Sequence, residues 1–464
     1  MSNNHPLQQT YLTDMLPRNF DEFEQGLSRK AAMEESNRCL YCYDAPCIKA
    51  CPTGINIPSF IKRIATDNLK GSATTIMHSN PIGASCARVC PTDELCEGAC
   101  VLNDASKPIE IGLLQRYATD WARENKIQLF SAGATNGKKV AIIGGGPAGL
   151  SAARDLAREG FTVVIYEARA IAGGLDTYGI VSFRLPQTIS LWEVEQVEKL
   201  GVTIQTGVKV GVDITVEQLL EEYDVVVLSA GMGYVPPIGL EGEELDGVYD
   251  AIELVESTKS NLTSMNLLGQ RIAVIGAGNT AIDAATCSVR LGATQVRMIY
   301  RRTREEMTAY DFEYEFAKQE GVEFSWLTAP IRIIGDVYGK VTHLECIQMK
   351  LSEETGKDGR LIPVPIEGSN VLLPIDAVVL AIGQTRHVEL IKHLGLEHVR
   401  GVVSIDEASH LTSHPKIYAA GDIVFGAGKG EAMVVSAAQQ GKLVAQAITR
   451  RFSMENDLVT ESII

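Results

Sequence analysis

Short apolar runs closed by glycine recur through the last two-thirds of the chain. Lys139-Val-Ala-Ile-Ile143 has the pattern of a buried strand, Gly144-Gly-Gly-Pro-Ala-Gly149 follows it, and an alanine-rich stretch with helical spacing runs to about Glu159. Thr162-Val-Val-Ile-Tyr166 then reads as a second strand. The same order returns in Arg271-Ile-Ala-Val-Ile275, Gly276-Ala-Gly-Asn-Thr-Ala281, a helix to about Leu291, and Gln295-Val-Arg-Met-Ile-Tyr300. The loops begin 132 residues apart, at 144 and 276, so the chain repeats a domain type and not a solenoid unit. Two further apolar runs, 224–231 and 376–383, end in glycine, and residues 416–422 precede a last alanine-rich helix from about Glu431. Before the small-polar linker Ser131-Ala-Gly-Ala-Thr-Asn-Gly137 the texture changes to helical stretches, prolines and most of the cysteines.

Glycine loops alone are weak signals. Here each follows a strand, opens a helix and leads into a second strand, the context a dinucleotide fingerprint requires. In the first loop Gly144 makes the turn, Gly146 lets a pyrophosphate approach the backbone, and Ala148 and Gly149 open the helix against the strand. Glu167 ends the second strand, where a carboxylate accepts from ribose hydroxyls. The second loop supplies Gly276 and Gly278, then Asn279 and Thr280, with Ala281 at the third glycine place. After its second strand come Arg301 and Arg302 instead of an acid. Arginine pairs with a 2′-phosphate, and each charge-assisted hydrogen bond contributes about 1.5–3 kcal/mol. The first loop therefore reads as an FAD site and the second as an NAD(P)H site.

The balance of 58 acidic against 42 basic residues gives a net charge of −16, which argues against nucleic-acid binding. No apolar run reaches the ~18 residues of a membrane span, and the amino terminus lacks a basic start and an apolar core, so a cytoplasmic protein off the membrane is expected. Ten cysteines are too few for a disulfide scaffold of 464 residues. Eight of them form two runs: Cys39-x2-Cys42-x4-Cys47-x3-Cys51-Pro52, and Cys86-x3-Cys90-Pro91 with Cys96-x3-Cys100. Close thiolates with proline after a late cysteine are an iron–sulfur signature. Zinc is the rival, but it favours paired CxxC units or histidines, and only His78 lies in this region. Spacing does not decide which donors serve which centre.

Residues 138 to about 450 resemble the flavoproteins with two dinucleotide-binding domains, with Gly173-Gly-Leu175 and Ala420-Gly-Asp422 as further marks. That resemblance implies that Gly174 and Leu175 lie at the flavin, that Gly421 and Asp422 approach its ribitol, and that Arg184 stands near flavin or cluster. The disulfide-reductase class is excluded, because it needs a redox CxxC beside the flavin and 58 residues separate Cys287 from Cys346. Residues 30–125 resemble the cluster domain shared by glutamate synthase small subunits and dihydropyrimidine dehydrogenases. In the latter a glutamine replaces one thiolate, and Gln115 stands at the matching place. The resemblance gives Cys39, Cys42, Cys47 and Cys100 to one 4Fe–4S cluster, gives Cys51, Cys90, Cys96 and Gln115 to a second, and leaves Cys86 out.

Arg38-Cys-Leu-x-Cys42, Asp44-Ala-Pro-Cys47, Val89-Cys-Pro-Thr92 and Phe183-Arg-Leu-Pro186 extend the likeness. It is nearest to the flavin-containing electron-input subunits of bacterial dihydropyrimidine dehydrogenases. The implied route takes hydride from NAD(P)H to FAD and then single electrons through two clusters. The implied partner is a separate subunit carrying FMN, iron–sulfur clusters and the pyrimidine site, and no acid–base residue is assigned here. The resemblance implies NAD and the two arginines NADP, so the donor is written NAD(P)H. The alternatives are the electron-input subunit of a glutamate synthase and a redox carrier without turnover. The expected fold is α/β. A helical double iron–sulfur domain (1–133) precedes a discontinuous FAD domain (138–265 and 376–464) that is interrupted by an NAD(P)H domain (266–375).

Overall fold

The computed structural model describes residues 16–461 apart from 261, 263–264, 266, 357–358 and 427–431. They form two units, one of residues 24–177, 184–232 and 386–461, the other of residues 16–23, 178–183 and 233–385.

The first unit begins with helices. Ile57–Ala65 shows why they form: Asn56 accepts the Ser59 N–H as a cap, Pro58 sits in the first turn, and Ile57, Phe60, Ile61 and Ile64 fall on one buried face. Leu69–Ser79 is capped by Asn68 in the same way, and Gly83–Val89 and Ile111–Glu124 follow. The apolar run at 139–143 then opens a parallel sheet. Its order is Ile417–Ala419, Val225–Leu228, Lys139–Ile143, Thr162–Glu167, Thr203–Thr206. The inner strands of this sheet read as continuous apolar runs because helices cover them, whereas the edge strand Thr203–Thr206 is polar and largely exposed. Two of those helices, Pro147–Arg158 and Val434–Glu461, approach so closely that a Cβ on Gly441 would stand 2.1 Å from the Ala148 carbonyl oxygen. Glu431, the expected start of the last helix, lies outside the described residues.

The second unit holds another parallel sheet, ordered Val248–Asp250, Ala377–Leu380, Arg271–Ile275, Gln295–Ile299, Glu323–Ser325, beside an antiparallel sheet built on the long strand Val341–Thr355. The boundaries differ from those the sequence suggests. Val248–Asp250 and Ala377–Leu380 pair here, although the sequence pattern puts residues up to 265 and from 376 on in the flavin domain. Residues 16–23 also belong here and not with the cluster domain, since Leu16 and Phe20 are buried with Phe183, Val274 and Ile282. An apolar strand ending in glycine looks the same in either sheet, so its pattern cannot reveal its neighbours.

Candidate functional site

Cys39, Cys42, Cys47 and Cys100 line one cavity, closed by Ile57, Ile61, Ile109 and Ile111. Cys39 follows the helix Arg29–Arg38, Cys47 lies in the short helix Pro46–Ala50, and Cys100 precedes the turn at Val101. Burial raises the Cys39 thiol and pushes Cys47 up to about 11. Leu40 and Val101 line the same cavity yet are exposed, and Tyr43 beside Cys42 is fully exposed.

Cys51, Cys90, Cys96 and Gln115 meet at a second cavity, lined also by Cys86, Asn80 and Val435. Five of the candidate donors thus share this space. Gln115 is buried on the inner face of Ile111–Glu124, and its Nε2 donates to the Gly83 carbonyl at 2.7 Å. With the nitrogen held there, the amide oxygen is the group left for the cavity. Cys86 instead engages Asn80 and Cys90 and packs with Ile82, Val435 and Ala438. Among the described residues, no three His, Cys, Asp or Glu side chains converge tightly enough to hold a single ion. Soft thiolates spaced around a cavity are the donor set a multi-iron cluster takes.

In the first glycine loop Gly144 has φ +102°, and a Cβ there would meet the Ser229 carbonyl oxygen at 2.5 Å. Gly149 is as tight, 2.1 Å from the Gly144 oxygen, whereas Gly146 has nothing nearer than 3.7 Å. The loop is therefore open only where a phosphate would pass, and it leads into the helix Pro147–Arg158 that carries buried Ala148. Gly173 donates its N–H to the Gly145 carbonyl at 2.8 Å, Gly174 backs onto Gly146, and Leu175 starts the next helical turn. The Glu167 carboxylate accepts from the Gly145 and Arg169 N–H groups, both at 2.8 Å. Gly421, at φ +80°, donates to the side chain of Gln440 at 2.6 Å. Asp422 is half-buried, its loss of solvent raises its carboxyl pKa, and its backbone carbonyl accepts from Arg386 at 2.6 Å. Arg184 is half-buried.

In the second loop a Cβ on Gly276 would stand 2.2 Å from the Ala381 carbonyl oxygen, and Gly278 caps the helix Asn279–Arg290, whose second residue is Thr280. Asn279 Oδ1 is buried without a hydrogen-bond partner among the described residues. The arginines divide. Arg301 is exposed, whereas Arg302 is buried and its Nε donates to the Leu361 carbonyl at 3.0 Å. The expected two-arginine clamp therefore reduces to one exposed guanidinium. Cys287 and Cys346 are separate buried thiols.

Some polar residues in the first unit carry no sequence signal. Arg154 donates to the Met77 carbonyl at 2.9 Å and the His78 carbonyl at 3.1 Å, and Lys442 donates to the Thr53 and Ser79 carbonyls. Glu193 accepts from Ala84 and Ser85. Each lies on a flavin-domain helix and grips the cluster domain. In sequence they are ordinary polar positions of amphipathic helices, and only their burial sets them apart.

The pattern of the pyridine nucleotide-disulphide oxidoreductase family matches residues 138–441. The chain belongs to that family. Residues 17–127 match a second pattern, described as dihydropyrimidine dehydrogenase domain II, 4Fe–4S cluster. As a member of that family with a 4Fe–4S domain, and without the paired redox cysteines of its disulfide reductases, the protein is an oxidoreductase whose cofactors are FAD, NAD(P)H and 4Fe–4S clusters. It is 36% identical over 428 residues to the NADP(+)-dependent formate dehydrogenase subunit beta of Moorella thermoacetica, covering 87% of this chain but only 59% of that one. It is 35% identical to the glutamate synthase [NADPH] small chain of Escherichia coli, covering 92% and 93% of the two chains. It is 34% identical to the NAD-dependent dihydropyrimidine dehydrogenase subunit PreT of the same organism, covering 95% and 97%. Mycobacterium tuberculosis FprA in complex with NADPH matches the fold with a TM-score of 0.56 at 19% identity, over 69% of this chain and 86% of its own. The thioredoxin reductase of T. acidophilum does so with 0.53 at 22%, over 68% and 99%. Among the described residues, no helix of this family member is long and apolar enough to cross a membrane.

Proposed function

We propose that this chain is the electron-input subunit of an NAD(P)H-dependent dihydropyrimidine dehydrogenase, serving a partner subunit that carries FMN and reduces uracil or thymine to the 5,6-dihydropyrimidine. When bound, FAD accepts hydride from the nicotinamide and releases electrons singly to two 4Fe–4S clusters. Cys39, Cys42, Cys47 and Cys100 are the ligands of one, and Cys51, Cys90, Cys96 and Gln115 of the other. The observation that carries the reading is Gln115: its nitrogen is held on Gly83 at 2.7 Å and its amide borders the cavity of Cys51, Cys90 and Cys96. A neutral amide in place of a thiolate makes such a cluster less negative by one charge and raises its potential.

The chain's own residues hold and orient. Gly144 and Gly149 fix the loop, Gly146 leaves room for the pyrophosphate, and Glu167 faces the ribose from the end of its strand. Gly174, Leu175, Arg184, Gly421 and Asp422 surround the rest of the flavin. Gly276, Gly278, Asn279 and Thr280 receive the nicotinamide dinucleotide, with Arg301 at a 2′-phosphate and Arg302 beneath it. Exposed Leu40, Tyr43 and Val101 beside the first cavity give the partner an apolar place to dock.

A second reading, the small subunit of a glutamate synthase, is favoured by the 35% identity to that chain. The test mixes the purified holoprotein with each partner. Uracil-dependent NAD(P)H oxidation with the FMN-containing pyrimidine subunit supports the first reading. Oxidation that requires glutamine and 2-oxoglutarate with a glutamate synthase large subunit, and no response to uracil, replaces it with the second.

A further inference from the structure

One helix, Val434–Glu461, serves both redox sites of the first unit. Val435 lines the second cavity, and Ala438 is buried against Cys86 and Ile82. Two residues farther on, Gln440 holds the Gly421 N–H of the flavin motif. Two residues beyond that, Lys442 turns back to the cluster domain. It is 9% exposed, and its Nζ donates to the Thr53 carbonyl at 3.2 Å and to the Ser79 carbonyl. Thr53 is the residue whose hydroxyl meets the Cys51 sulfur at 3.4 Å.

Burying an ammonium is costly unless negative charge faces it. Among the described residues no carboxylate forms an ion pair with Lys442. The nearby acid is Asp155, and it is already paired with Arg154 at 2.8 Å. The hydrogen-bond partners of Lys442 are neutral carbonyls, whereas the ligand set beside it becomes anionic once its thiols take up metal. The Ser79 contact alone would be explained by docking, since a cation suits the end of the helix Leu69–Ser79. Arg154 already does that on the Met77 and His78 carbonyls. The contact to Thr53 is what docking leaves unexplained.

We propose that Lys442 is the counter-charge of the second cluster: from the flavin-domain helix it grips the Cys51–Thr53 turn and raises the reduction potential of the centre held by Cys51, Cys90, Cys96 and Gln115. Charge close to a cluster is one of the levers on its potential, and the dry surroundings leave this one little screened. The inference rests on the ligand set proposed above. It makes Lys442 a tuning residue that touches neither substrate nor flavin.

The test is a potentiometric titration, followed by electron paramagnetic resonance, of anaerobically purified holoprotein. The second cluster is the signal altered in Gln115→Cys. Lys442→Gln, which keeps a donor but not the charge, shifts that signal alone to lower potential; Lys442→Arg leaves it in place, and Arg154→Gln lowers thermal stability without moving it. Wild-type potentials in Lys442→Gln overturn the proposal. If Lys442→Gln and Lys442→Met both lose the second cluster while Lys442→Arg keeps it, the charge is needed for assembly, which supports the same assignment; loss from Lys442→Arg as well overturns it. A wild-type protein without a second signal overturns the ligand set and with it the role given to Lys442, whereas wild-type potentials in Lys442→Gln with both signals present overturn that role alone.

Discussion

Glu193, on the helix Gln187–Glu198, accepts the backbone N–H of Ala84 at 2.7 Å, and through that bond a flavin-domain carboxyl caps the helix that leads to Cys90. It also accepts from Ser85 N–H at 3.1 Å. Burial, against the pull of the Ser85 hydrogen bonds, pushes the carboxyl from its ordinary 4.5 up to about 8.

The sign of the consequence follows from linkage. Between 4.5 and about 8 the unfolded chain has released this proton and the folded chain keeps it, so Glu193 costs stability increasingly as pH rises through that window. Every tenfold difference in proton affinity between the two states is worth about 1.4 kcal/mol. Thermal unfolding of Glu193→Gln between roughly pH 5 and 8 is predicted to lose much of the wild-type decline. An unchanged decline would show that Glu193 is ionised in the folded protein.

Arg301 and Arg302 are predicted to part company. Arg301→Ala raises KM for NADPH by about tenfold or more and leaves KM for NADH unchanged, the loss of one charge-assisted bond. Arg302→Ala removes the donor to Leu361 and lowers the melting temperature, with NADH and NADPH affected alike. Steady-state kinetics with both nucleotides, using an artificial acceptor, separates these outcomes.

Gly149→Ala drives a Cβ to within 2.1 Å of the Gly144 carbonyl oxygen. Overpacking of that kind costs about 1–3 kcal/mol, and here it forces the loop to open. The purified variant is predicted to carry less than half the wild-type flavin per chain, read from its visible absorbance.

The proposed partner docking at the first cavity is tested at Tyr43, which follows Cys42 in the chain but does not line the cavity. Tyr43→Asp is predicted to lower uracil-dependent NAD(P)H oxidation roughly tenfold, as loss of an exposed aromatic anchor does. Oxidation with an artificial acceptor keeps its rate.

Much of this is legible in the sequence because glycine and cysteine leave local traces. Gly144, Gly149 and Gly276 mark positions where no side chain fits, and a strand, a glycine loop and a helix in succession announce the fold from short windows. The cysteine runs likewise advertise metal, and the two four-donor sets drawn from resemblance each border a single cavity. Three things are not legible. Which sheet takes Ala377–Leu380 depends on partners more than a hundred residues away. That Arg302 is buried depends on the strand Leu361–Pro365 covering it, which adjacency to Arg301 hides. Glu193, Arg154 and Lys442 look like solvated helix faces until the cluster domain is packed on them.

The central claim, that two four-iron centres stand with one flavin on this chain, is tested most directly by iron, acid-labile sulfide and FAD analysis of the anaerobically purified protein. The prediction is about eight iron, about eight sulfide and about one FAD per chain. Zinc in place of iron, or iron without sulfide, would contradict it.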